Sequence, residues 1–359
     1  MASRPGGRSD GWRWKLAPGH TRAAPRHGTV TPPPGLVSIL LRTRDRPLFL
    51  ARALDDLAAQ TWGDWRAIVV NDGGDPRLVD AAVACRAGAL AGRVTILHHA
   101  HAKGRGAALN AAFEASTGPF FVVHDDDDTW HPSFLSDTVA FLSDTSHGHF
   151  AGVATNCALI RERVENGAIL ELERTPWPLF ESGVDLANML IGNRIPQHSL
   201  LLRREIAIQA GPYDPDLPVL EDWEFYLRIL MYADIGTIQA TRAFYHVRPE
   251  ISGDASDNTV VAGADRHRAR AVLLQNRAIR LALRENPAAM GILQPLLQRL
   301  DVQGQLLTEI RRDVDRRLAR LEELMELVHL TAAWHHKLLR PVQRLVSMAR
   351  AMRRFGGRG

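Results

Sequence analysis

Four aspartates stand in a row, Asp125-Asp126-Asp127-Asp128, directly after the apolar run Phe120-Phe121-Val122-Val123 and just before Thr129-Trp130-His131-Pro132. A short apolar run bounded by polar residues reads as a buried strand, and the proline stops its continuation. Adjacent anions repel one another, so packing them calls for a cation. Hard divalent ions such as Mg²⁺ or Mn²⁺ take oxygen ligands and are often held by one or two carboxylates together with substrate phosphates. Taken alone, the stretch also fits a solvated acidic turn. A second acid pair, Glu221-Asp222, opens a helical stretch downstream. A positioned carboxylate can take a proton from a hydroxyl. Acids favoured by the macrodipole at a helix start are the structural alternative.

Other elements must position these groups. Leu36 to Leu41 reads as a first buried strand, followed by the loop Arg42-Thr43-Arg44-Asp45 and a helix from Pro47, with Asp45 as its expected N-cap. Leu50, Ala53, Leu54 and Leu57 mark that helix's buried face. A second strand, Ala67 to Val70, runs into Asn71-Asp72-Gly73-Gly74-Asp75; a third covers Val94 to Leu97, and Gly104-Arg105-Gly106 opens another helix. This βαβα alternation indicates a mostly parallel, doubly wound α/β sheet. Ligands of such sheets bind outside the carboxyl ends of the strands. Arg44, Asp72, Arg105 and Asp125 to Asp128 all fall there, so they are expected to face one crevice.

Residues 1–35 are rich in Gly, Pro and Arg and read as a disordered basic leader. The chain has 359 residues, 45% hydrophobic and 23% charged, with a net charge of +4 concentrated at its two ends. The two cysteines, Cys85 and Cys157, have no metal or redox spacing. No run approaches the length of a membrane span, and the start lacks a signal-like apolar core. A cytoplasmic protein is expected, soluble or bound peripherally to a membrane. Nucleic acid is disfavoured as a partner, because the basic residues are not interleaved with aromatics and a carboxylate crevice repels phosphate.

The stretches Val37 to Pro47, Gln60-Thr61-Trp62 and Val69 to Gly74 resemble the nucleotide-binding half of family 2 glycosyltransferases, enzymes of the GT-A fold. Asp125 to Pro132 is similar to that family's metal-binding DxD motif with its trailing Trp and Pro. The likeness continues through Ser199 to Arg204, Gly211-Pro212-Tyr213-Asp214 and Glu221 to Phe225. It departs at Arg42-Thr43-Arg44-Asp45 and at Asn71-Asp72-Gly73-Gly74, which leaves the individual base contacts open.

The resemblance implies an inverting transferase taking a UDP-, dTDP- or GDP-linked sugar and using Mg²⁺ or Mn²⁺. The acceptor class would be a glycan, a lipid-linked molecule or a small-molecule hydroxyl. It implies a domain over 36–250, with the nucleotide half at 36–130 and the acceptor half at 131–250. By the same resemblance, Asp72 reads the base, with Thr43, Arg44 and Asp125 beside the nucleotide. Asp127 contacts the ribose and shares the metal with Asp128. Asp222 is the catalytic base, oriented by Glu221. Arg105 lies near the phosphates by position. His246 is a candidate third metal ligand, a satisfied structural histidine being the alternative. His198 and Trp223 are candidate acceptor contacts. A sugar-phosphate nucleotidyltransferase shares the sheet and the metal, but no Gly-rich motif with a trailing Lys follows the first strand. A nucleic-acid-binding protein is the non-enzymatic alternative.

Further along, a hairpin is expected from Gly152 to Leu172, turning at Asn166-Gly167, with irregular chain over 173–198 that includes Phe180. Residues 251–359 read as a helical extension. Leu307, Ile310, Val314, Leu321, Leu324 and Val328 take alternating three- and four-residue steps interrupted by Arg317, a surface for packing on the chain's own domain or for a homodimer. Lys337 to Arg354 is basic and amphipathic, suited to peripheral membrane contact or to docking on the catalytic domain with a solvated charged face.

Overall fold

The computed structural model describes residues 35–177, 183–248 and 264–355, without the side chains of 264–268, 281, 293, 322 and 325–355. The leader, Phe180 and the start of the expected extension lie outside the described residues, as do the side chains of Lys337 to Arg354.

The elements follow in this order: β1 (Val37–Thr43), α1 (Pro47–Ala58), β2 (Trp65–Asp72), α2 (Pro76–Ala84), α3 (Ala87–Leu90), β3 (Val94–His99), α4 (Arg105–Ala115), β4 (Phe120–Asp125), β5 (Thr129–Trp130) and α5 (Phe134–Ser143). Then come β6 (Phe150–Glu165), β7 (Ala168–Trp177), α6 (Leu186–Ile191), β8 (Leu200–Arg203), α7 (Arg204–Ala210), α8 (Glu221–Leu230), β9 (Asp234–Val247), α9 (Ala264–Glu285) and α10 (Met290–Phe355). The described strands join in the order β3-β2-β1-β4-β8-β6-β9-β5, with β7 on the side of β6. The first four run parallel, β8 is antiparallel to both neighbours, and β6 and β9 pair in parallel. The expected α/β fold with a helical extension is the one observed.

Period-two alternation explains the layering. Ile39, Leu41, Val69 and Val122 point to one face, where α1, α2 and α5 cover them. Leu40, Ile68, Val70, Phe121 and Val123 point to the other, against α4 and α8. A central parallel sheet buried on both faces needs apolar residues at successive positions, and β1 is buried along its whole length.

The hairpin is longer than expected, because β6 continues to Glu165 and β7 to Trp177. Asn166 and Gly167 turn it with φ of 51° and 78°, the left-handed pair a two-residue turn requires. The irregular stretch expected over 173–198 contains α6 and the end of β7 instead. Asp45 is not the cap of α1: it sits at φ 53°, and its carboxylate accepts the Asp75 backbone N–H at 2.8 Å, tying the loop after β1 to the loop after β2.

The described residues up to Ala278 belong to one compact unit and those from Ile279 onward to another. Within the first, Leu274 of α9 is buried in the core, and Arg277 holds Asp214 at 3.3 Å. In the second, α10 is a single helix of 66 residues. No helix among the described residues is long and apolar enough to cross a membrane.

Gly152 lies where β6 passes β8, and a Cβ there would fall 2.5 Å from the Leu201 carbonyl oxygen. Gly152→Ala is expected to lower stability by about 1–3 kcal/mol through overpacking, while Gly63→Ala, which meets nothing within 4 Å, should leave it unchanged. Denaturant midpoints of the two variants check this.

Candidate active site

Strand register builds the site. Parallel pairing of β1 with β4 sets Arg42 beside Asp125, and the buried Arg42 guanidinium donates to Asp125 Oδ1 at 2.8 Å. Its other amino group donates to Glu221 Oε1 at 3.0 Å. One arginine therefore spans the gap between the end of β4 and the start of α8. Burial opposes its charge, but Asp125 and Glu221 raise its pKa.

The four aspartates diverge. Asp126 is buried, accepts from the Thr43 hydroxyl at 2.8 Å and pairs with Arg46 at 2.9 Å. Burial, opposed by Arg46, pushes its carboxyl up to about 6. Asp127 lies between Arg46, at 2.7 Å, and the fully buried Arg248. Burial works against its charge, yet the two guanidinium groups hold it below the usual carboxylate range.

Asp128 is buried and accepts the His246 backbone N–H at 2.9 Å. Its other oxygen is ion-paired with His198 Nδ1 at 2.9 Å, and neither buried ring nitrogen makes an aligned hydrogen bond among the described residues. Burial disfavours an imidazolium there, but Asp128 outweighs it and lifts the His198 pKa well above the ordinary value.

Asp125, Asp128 and His198 form a group whose ligand atoms all lie within 4.8 Å of one another. Two carboxylates and an imidazole make a donor set suited to a divalent cation. The residues present fit such an ion.

The remaining expected residues are placed as follows. The His246 ring is not in that group: its Nδ1 meets Glu162 at 2.6 Å and its Nε2 meets Thr129 at 2.8 Å. Arg44 is exposed at the loop after β1, and Thr43 faces Asp126 rather than open space. Trp223 is buried, and its indole N–H donates to the Met189 carbonyl at 2.6 Å; it fixes α6 from inside the core instead of presenting a surface. Arg105 Nε lies 3.9 Å from Glu221, the same oxygen that Arg42 holds.

At the other edge, β2–β3 register sets Asp72 beside His99. Asp72 Oδ1 meets His99 Nδ1 at 2.8 Å and accepts the Lys103 backbone N–H at 2.8 Å, while Oδ2 accepts the Gly104 N–H at 3.0 Å.

Asp222, half-buried at the first turn of α8, accepts the Asn193 side-chain amide at 2.8 Å and its neighbour Trp223's backbone N–H at 2.8 Å. Burial and then the adjacent Glu221 push its carboxyl up to about 6. That is near the operating range of a general base, still ionised at neutral pH. Glu221 Oε2 is buried with no hydrogen-bond partner among the described residues.

Several residues around these groups carried no signal in the chain's local pattern. Glu162, on the far part of β6, binds Arg52, His246 and Arg248. Burial would raise its pKa, but His246 and Arg52 hold it down at about 2. Asn193 and His99 likewise reach the site only through the fold. For Arg46 the signal existed: a cation three residues past the end of β1, whose neighbour β4 ends in the acid cluster.

The mixed α/β sheet carries a carboxylate–imidazole cluster between the end of β4 and the start of β8, and an acid pair at the start of α8. The Glycosyl transferase family 2 sequence model matches residues 38–203, and the chain carries a glycosyltransferase domain of that family. It is 22% identical over 222 residues to the uncharacterized glycosyltransferase YwdF of Bacillus subtilis, covering 62% of this chain and 76% of that one. It is 25% identical over 217 residues to the uncharacterized glycosyltransferase alr2836 of Nostoc sp., covering 59% of this chain and 64% of that one. The crystal structure of S. aureus TarS 1-349 in complex with UDP-GlcNAc superposes with a TM-score of 0.49 at 17% identity, over 61% of this chain and 60% of that chain.

Two outcomes are expected of this site. Turnover should rise with pH through about 6 as Asp222 ionises and level off above it. Glu221→Gln, which removes the neighbouring negative charge, should move that limb to lower pH; a pH profile of kcat for both proteins checks it. Separately, Asp128→Asn and His198→Gln should abolish the extra thermal stabilisation that Mn²⁺ adds with a bound nucleotide. Asp127→Asn should instead lower the melting temperature without ligand, because buried Arg248 and Arg46 each lose one carboxylate partner while Arg248 keeps Glu162 and Arg46 keeps Asp126, a loss below the roughly 3–5 kcal/mol of a fully broken buried pair. Thermal melts with and without Mn²⁺ separate the two roles.

Proposed function

We propose that the chain transfers a sugar from a nucleoside diphosphate to an acceptor hydroxyl, with inversion at the anomeric carbon. The observation that carries this reading is Arg42, which joins Asp125 of the cation-suited group to Glu221, next to the raised-pKa carboxylate of Asp222. The residues assigned here to leaving-group neutralisation and to proton removal are thus joined through one side chain.

In the proposed reaction Asp222 takes the proton of the acceptor hydroxyl. The acceptor oxygen bonds to the anomeric carbon as the bond from that carbon to the diphosphate oxygen breaks, and the nucleoside diphosphate leaves. Asn193 holds Asp222 in place from the acceptor side. The unpartnered Glu221 Oε2 offers an acceptor for a sugar hydroxyl. Asp125, Asp128 and His198 would hold a divalent cation, Mg²⁺ or Mn²⁺, which would supply Lewis-acid neutralisation of the diphosphate. Arg105 lies on the same side as Glu221 and suits the phosphates.

The donor base is read by Asp72. A carboxylate has about four lone-pair positions, and three are taken by His99, Lys103 and Gly104. The one left matches the single imide N–H of uracil or thymine better than the adjacent N–H pair of guanine, so UDP- or dTDP-sugars are the donors of this reading. The acceptor belongs to surface polysaccharide, glycolipid or secondary-metabolite glycoside synthesis. Lys337 to Arg354 holds basic residues and no acid, a composition that suits peripheral attachment to the cytoplasmic face of a membrane near a lipid-linked acceptor.

Asp222→Asn keeps the shape and the Asn193 contact but cannot take a proton. Turnover should fall roughly 10²- to 10⁴-fold, with donor affinity nearly unchanged because the base acts in the transition state. The measurement is turnover beside donor-induced thermal shift over a panel of UDP-, dTDP- and GDP-sugars with Mn²⁺. Normal turnover, or donor binding lost as severely as activity, would place the base elsewhere.

A further inference from the structure

We infer that α10 pairs with the same helix of a second copy, making the protein a homodimer through a two-stranded coiled coil. From Leu296 to Leu324 the positions 296, 300, 303, 307, 310, 314, 317, 321 and 324 follow alternating steps of four and three without a break. All but Gln303 and Arg317 are Leu, Ile or Val. The apolar members are exposed, from 47% at Val314 to 67% at Leu307.

The period identifies the kind of partner. A strict seven-residue repeat drifts by about 20° per heptad around a straight helix, so over this length the stripe wraps part-way round α10. A flat surface cannot follow it, whereas a second helix that supercoils with it can. The stretch is long enough to register, at four heptads.

Charge points to a second copy of the chain. Residues 296–324 hold six arginines and six carboxylates, so two copies approach without net repulsion. Arg317, the one charge in the stripe, already has its Nε held by Asp313 at 2.8 Å on its own helix. Its stem can lie over the apolar seam while its head stays paired.

Area supports the same conclusion. Seven seam residues and the flanking Leu297, Leu306 and Leu318 are each about half exposed or more. At about 60–120 Å² of apolar surface per large aliphatic side chain, taken from transfer energies per area, covering that exposed half on two helices removes on the order of 1,000 Å², the lower bound for a specific interface.

The test is the solution mass of the full chain, by sedimentation equilibrium at roughly 10 µM, above the dissociation constant of a modest interface. Wild type is expected at twice the 39.8 kDa chain mass. Leu307→Glu/Val314→Glu should give the single-chain mass, while Arg312→Glu, on the opposite face of the heptad, should stay dimeric. Far-UV circular dichroism and the nucleotide-induced thermal shift must be retained in the double variant, showing that both units remain folded. A wild-type monomer, a trimer, or a dimer that survives the double substitution overturns the inference. If the double variant unfolds, Leu307→Ala/Val314→Ala keeps helix propensity and should weaken dimerisation at least tenfold; an unchanged dissociation constant there also overturns it.

Discussion

Four carboxylates at the end of one buried strand set the terms for the rest of the domain. Two charges 4 Å apart interact by about 1 kcal/mol in water and by about 4 kcal/mol at the effective dielectric of a protein surface. Side by side and out of water, they must be matched or protonated. The chain matches each from a different element: Arg42 on β1 for Asp125, Arg46 at the start of α1 for Asp126 and Asp127, Arg248 after β9 for Asp127, and the His198 imidazole before β8 for Asp128. The aspartates are thereby divided by task. Asp126 and Asp127 are held by two arginines between them, while Asp125 and Asp128 stand with His198 in the one group whose donor atoms could hold a metal ion among the described residues.

Neutralisation also fastens distant parts of the domain together. Arg248 and Arg52 both bind Glu162, so the long β6, the end of β9 and α1 meet at one buried charge cluster behind the aspartates. Breaking a buried pair costs more than making it gains, which ties the loop after β4 to the strands on either side of it. Arg42 does the same across the crevice, since its two ion pairs set the spacing between the aspartate cluster and the acid pair of α8. The acid pair at the start of α8 is therefore held relative to Asp125 by a single side chain emerging from the most buried strand.

Glu221 and Asp222 are consecutive, yet they take different roles because a helix start turns them apart. Glu221 is buried against Arg42 and Arg105, whereas Asp222 remains half-buried with Asn193 beside it. A carboxylate next to another one, partly removed from water, is the arrangement that raises a pKa toward neutrality. The second acid is thus part of how the first is tuned.

The chain by itself determined the sheet, the helices that cover it, and the strand ends at which the acidic groups gather. These follow from local rules: apolar runs, strand–helix alternation, and carboxylates at strand termini are properties of neighbouring residues. It also determined the acid pair at the start of α8 and the β6–β7 turn at Asn166-Gly167. Tertiary structure decided which carboxylate does what. Local order cannot say which of four adjacent aspartates will meet a guanidinium from 121 residues away, as Asp127 meets Arg248. For the same reason the chain alone leaves His246 between a metal ligand and a satisfied structural histidine, and the fold sets it against Glu162 and Thr129, while His198, a candidate acceptor contact, lies with Asp125 and Asp128. A histidine's role is set by whichever charge the fold brings to its ring, and that charge comes from register and packing rather than from the residues beside it.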